Sequence, residues 1–138
     1  MAATLSRSGF AGLYALIFGA TYVLVAFLEV VVGRDGGLTL GDGGGINSII
    51  LLNSGPHNAI HWIVGIALVG AALAGLAKPV VRTIGVVFVV VTLVGLVLPS
   101  TTMDLLGYGE NLSVPIVYTL VHALTAVTAL YAGFVARD

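Results

Sequence analysis

Residues 10–32 read FAGLYALIFGATYVLVAFLEVVV, with one charged side chain, Glu29. About 20 apolar residues let a helix cross a hydrocarbon layer of ~30 Å, so this stretch predicts a membrane span. A secretory leader has an apolar core of about 7–15 residues and a small-residue cleavage pattern. Here the run is longer and Gly33-Arg34-Asp35 follows without such a pattern, so a retained span is expected.

Working outward, three more windows qualify: about 57–77, 80–98 and 114–136. All four prolines sit at their edges. Pro56, Pro79 and Pro115 fall in first turns, where a missing N–H costs nothing, and Pro99 closes the third window. The whole chain agrees, with 59% hydrophobic and 8% charged residues over 138 positions and a mean hydropathy of +1.14. A soluble domain needs roughly 25% charged residues to solvate its surface. The composition therefore excludes a soluble domain, a disordered chain and a nucleic-acid binder. It predicts one all-α integral membrane domain over residues 1–138, a bundle of four transmembrane helices. The chain has no cysteine, which excludes disulfides, thiolate metal sites and cysteine nucleophiles.

Lys and Arg set the orientation. Arg7, Lys78, Arg82 and Arg137 fall on one side of a four-span topology and Arg34 alone on the other. Both termini are thus expected in the cytoplasm of a cell whose plasma membrane the chain crosses. The first outer loop combines the glycine-rich run 41–45 with the apolar residues 46–52, too short to span and expected as an interfacial helix. Ser54 and Ser113 are expected as helix N-caps, and the second outer loop covers residues 100–113. The connection Ala77-Lys78-Pro79 is short enough to make the second and third helices antiparallel neighbours.

Helices in lipid associate through close backbone approach and a few polar contacts. Gly12, Ala15 and Gly19 form a small-residue stripe on the first span, and Gly65, Gly70, Ala71, Ala72 and Gly75 smooth the second, which suits a central position. The fourth carries Ala126, Ala129, Ala132 and Gly133. The third is dominated by valine and is expected to face lipid or another protein most. No phosphate-binding glycine motif and no nucleophile-elbow serine occurs.

The polar exceptions carry the functional question. His57 and His61, four apart, share one helix face, with Asn58 beside them. His122 lies in the fourth span with Tyr118 one turn before it, and Glu29 closes the first. At 1.5 Å rise per residue, Glu29 and His61 fall roughly 5–7 Å below the outer edge and His122 roughly 12 Å below. Ionisable groups at such depths are costly and usually face the bundle interior. His57, in the first turn, is placed where water can reach it, and Trp62, Tyr108 and Tyr118 are expected as interface anchors, with Tyr118 the exception if it bonds His122.

Three readings of this cluster stand side by side. In the first, Glu29, Asn58, His61, Tyr118 and His122 satisfy one another in an interhelical hydrogen-bond network. In the second, His57, His61, His122 and Glu29 hold a zinc or copper ion, or His61 and His122 hold a haem iron axially. In the third, the cluster handles protons or a quinone, with Glu29 and a histidine exchanging protons near the outer surface.

The segment Asn53-Ser54-Gly55-Pro56-His57-Asn58-Ala59-Ile60-His61-Trp62-Ile63-Val64-Gly65 resembles the N-x-x-x-H-N-x-x-H-x-x-x-G signature of a family of small bacterial and archaeal membrane proteins, a domain of unknown function. That resemblance implies four helices, and a related element opening the fourth. There His122 fits, while Tyr118 stands where Asn or Asp is expected. It implies no activity or cofactor. With almost no aqueous domain, the chain is expected to be a non-enzymatic accessory or scaffolding subunit. It would pack against itself as a homo-oligomer or against a larger membrane complex. The alternative is a metal-, haem- or quinone-handling protein.

Overall fold

The computed structural model describes residues 2–33, 55–105 and 116–136, and among these the chain is helical throughout apart from short turns. The helices are α1 (Ala2–Gly33), α2 (Gly55–Ala74), α3 (Ala77–Val97), α4 (Pro99–Leu105) and α5 (Ile116–Leu130), which continues into a π-helical turn, Tyr131–Val135. Four segments, Gly9–Val30, Pro56–Ala74, Ala77–Val97 and Tyr118–Val135, are long and apolar enough to cross a membrane. The interfacial helix expected over 46–52, the glycine-rich run 41–45, Ser54, Ser113, Pro115 and Tyr108 lie outside the described residues.

Helix ends differ from the hydropathy windows where glycine intervenes. α1 begins eight residues before Phe10 and breaks at Gly9, whose φ of 48° suits a residue without Cβ. α2 stops at Ala74, not Ala77. Gly75 takes φ 74°, Leu76 N donates to Ala71 O at 2.8 Å and Gly75 N to Ala72 O at 3.3 Å. Those two bonds are the Schellman arrangement that ends a helix on a left-handed glycine. The connection is therefore Gly75-Leu76, and Pro79 sits in the first turn of α3. Pro99 both follows the end of α3 and opens α4, so the outer loop expected over 100–113 begins as helix instead.

Two helix pairs pack most closely, α1 with α2 and α3 with α5. The sequential neighbours α2 and α3 touch less, and α3 rather than α2 contacts all the other long helices closely. Glycine explains both tight seams. A Cβ on Gly65 would stand 2.8 Å from Val23 N and 3.0 Å from Gly19 O, and one on Gly19 would stand 2.9 Å from Val69 N. Across the second seam, a Cβ on Gly85 would meet Leu130 N at 3.1 Å, and one on Gly133 would meet Arg82 N at 3.1 Å. Alanine fills the rest of the interior: Ala11, Ala15, Ala72, Ala77, Ala126 and Ala129 are buried. Most hydroxyls stay on their own helix. Thr21, Thr83, Thr92 and Thr125 each donate to the carbonyl four residues earlier. The valine-rich α3 is the least buried of the four spans, as expected.

Arg82 does more than mark a loop. Its Nε donates to Gly133 O at 2.7 Å and its guanidinium lies 4.7 Å from the Phe134 ring centre. A cation there complements the carbonyl end of the last helix and binds the start of α3 to it. Phe10 and Tyr131 meet edge-to-face at the same end, so α1 begins beside the end of α5. At the opposite, distal end, α1 finishes and α2 and α5 begin.

Candidate metal centre

The polar residues gather at that distal end. Glu29, His57, His61, Tyr118 and His122 are all buried, each below a tenth exposed. Glu29 arrives there because Ala15, Tyr22, Ala26 and Glu29 recur at helical spacing and share the inward face of α1. Its two oxygens are used separately. Glu29 Oε1 accepts from His61 Nδ1 at 3.1 Å, and Glu29 Oε2 accepts a short bond from Asn58 Nδ2. Asn58 Nδ2 also donates to Ala26 O at 2.8 Å, so both amide hydrogens bind α2 to the last turns of α1.

His122 is held on the other side. Its Nδ1 stands 2.7 Å from the Tyr118 carbonyl, one turn earlier on α5. A carbonyl oxygen only accepts, so Nδ1 carries the hydrogen and Nε2 presents a lone pair in the neutral ring. His57 bridges the halves. Its ring centre lies 4.3 Å from that of His61, 5.6 Å from Tyr118 and 6.3 Å from His122. Tyr22 packs edge-on against His61, and Phe88 stacks on His122 at 5.3 Å.

This arrangement sorts the residues singled out by sequence. Glu29, Asn58 and His61 form one hydrogen-bonded unit, whereas His122 bonds only within α5 among the contacts described. Tyr118 supplies its carbonyl and its ring, 3.9 Å from that of His122, and is buried rather than an interface anchor. His57 is 3% exposed, not the water-facing first-turn residue that its position predicts. Burial follows from the rings of α5 that close over the start of α2. Tyr14, Tyr22 and Phe88 are the residues that sequence reading passes over. Tyr14 Oη donates to Thr125 O at 3.2 Å and so joins α1 to α5.

Of the four expected ligands, three converge. One ligand atom each from Glu29, His57 and His61 lie within 4.8 Å of one another, all buried. Two imidazoles and a carboxylate form a ligand set that suits zinc and leaves one position open. Glu29 Oε1 and His61 Nδ1, at 3.1 Å, are spaced close to the about 3.3 Å of two ligands on a tetrahedral ion with zinc-like bond lengths. His122 stands outside this group. A haem between His61 and His122 does not fit. The space there, lined by His57, His61, Tyr118 and His122 among apolar residues that include Ile60, Val87 and Phe88, is a cavity of about 60 Å³, against roughly 300–1,000 Å³ for pockets that take drug-sized ligands.

No family model, curated protein or solved structure matches the chain.

Proposed function

We propose that this protein binds one divalent transition-metal ion, zinc or copper, through Glu29, His57 and His61 inside a membrane-embedded bundle. The observation that carries the reading is the convergence of three buried ligand atoms within 4.8 Å. A carboxylate and two imidazoles buried among apolar helices are costly, and an ion is the partner that uses all three together. Ligation replaces the proton shared between His61 Nδ1 and Glu29 Oε1, so affinity falls as the medium is acidified.

The four-to-one distribution of Lys and Arg supports cytoplasmic termini and an outward-facing metal end in the plasma membrane. An alkaline phosphatase fused after the last residue is then inactive in a bacterial host, and an active fusion contradicts the orientation. The accessory-subunit reading has one observation in its favour. Leu93, Leu96, Val97 and Val90 leave α3 largely uncovered, which suits a second copy or a larger complex.

Native mass spectrometry from mild detergent tests both. One zinc or copper ion per chain is expected for the wild type and none for a Glu29→Gln, His57→Ala double variant that retains a cooperative helical melt. Equal metal content in the two proteins overturns the metal site, and a bare monomer overturns the subunit reading.

A further inference from the structure

The cavity beside the three ligands has a composition that the metal site alone does not explain. His57 and His61 line it, and Glu29 does not. Three ligands of a tetrahedral ion lie on one side of it. An ion held by these three would border the cavity through His57 and His61, with Glu29 outside the lining. His122 lines the cavity too, fixed by the Tyr118 carbonyl so that Nε2 is its lone-pair nitrogen. Ile60, Val64, Val87, Phe88, Val91 and the Tyr118 ring complete the lining; Val64 and Phe88 are buried, and Ile60 and Val87 carry it toward the outside of the bundle at 42% and 46% exposed.

We propose that this cavity is a size-limited ligand chamber for the metal. It takes a water molecule, or a small anion of two or three heavy atoms, at the ion's fourth position, with His122 accepting a hydrogen bond from a protic ligand. The inference rests on the metal reading above. Its size limit comes from volume, since about 60 Å³ is far below the roughly 300–1,000 Å³ of pockets that take drug-sized ligands.

Cobalt(II), whose visible bands report ligand exchange, is the probe, with azide and imidazole as the added ligands. In the cobalt-loaded full-length protein, azide is expected to change the bands saturably and imidazole to leave them unchanged. His122→Ala enlarges the cavity, so imidazole is then expected to change them too. Val64→Phe fills the chamber, and is expected to keep the bands and lose the azide response. An absence of cobalt bands in the wild type overturns the metal site and this inference together. Bands that ignore azide, or that respond equally to azide and imidazole in the wild type, overturn the chamber and leave the metal site standing.

Discussion

Asn58 shows how one amide organises the distal end. It spends both hydrogens on α1, one on the Ala26 carbonyl and one on Glu29, and so orients the carboxylate whose other oxygen faces His61. Asn58→Ala strips the buried Glu29 carboxylate of that donor, a loss of about 1–3 kcal/mol. A double-mutant cycle with Glu29→Gln, read by thermal melting in detergent, is expected to give a coupling near the ~0.6 kcal/mol average for membrane pairs or above it. Strict additivity contradicts the clamp. These residues were legible because an ionisable or amide side chain in an apolar span stands out. Tyr22 and Phe88 were not, because an aromatic ring is equally at home against lipid and against an imidazole. Phe88 is a lone ring in a valine run, and only the fold shows that it stacks on His122.

At the scale of elements, the long helices were readable from hydropathy and proline punctuation, and their ends were not. Gly75 reads equally as a smooth-face residue and as a stop, and its positive φ decides for the stop. Pro99 reads as a terminator, yet it also starts α4, because a proline in a first turn gives up no hydrogen bond. The seams make a sharp prediction. Gly65→Ala pushes a methyl group against the Val23 backbone, which cannot rotate away, and is expected to cost about 1–3 kcal/mol. Gly70→Ala meets nothing within 4 Å and is expected to stabilise α2 by about 0.5–1 kcal/mol, the helix preference for alanine. Melting temperatures of the two variants in one detergent check the contrast. Equal shifts would mean that α1 and α2 do not meet at Gly65.

Across the whole molecule, the chain is two glycine-seamed helix pairs joined by the two-residue turn at Gly75-Leu76. Each end has its own polar fastening. Arg82 bonds the Gly133 carbonyl at one, and Glu29, Asn58 and His61 join α1 to α2 at the other. The small-residue faces named from sequence foretold close packing without telling which faces meet. Glycine and alanine occur on several sides of α2, and the choice between them depends on shape in three dimensions. The same limit applies to the ligands. Spacing alone put His122 with the others, and only the helix positions separate it from Glu29, His57 and His61. X-ray absorption at the zinc edge of the zinc-loaded protein tests this most directly. The account predicts a four-coordinate sphere with two imidazoles, a carboxylate oxygen and one light exchangeable ligand, at about 2.0–2.2 Å. A sphere of oxygen ligands alone, unchanged by His57→Ala and His61→Ala, would contradict it.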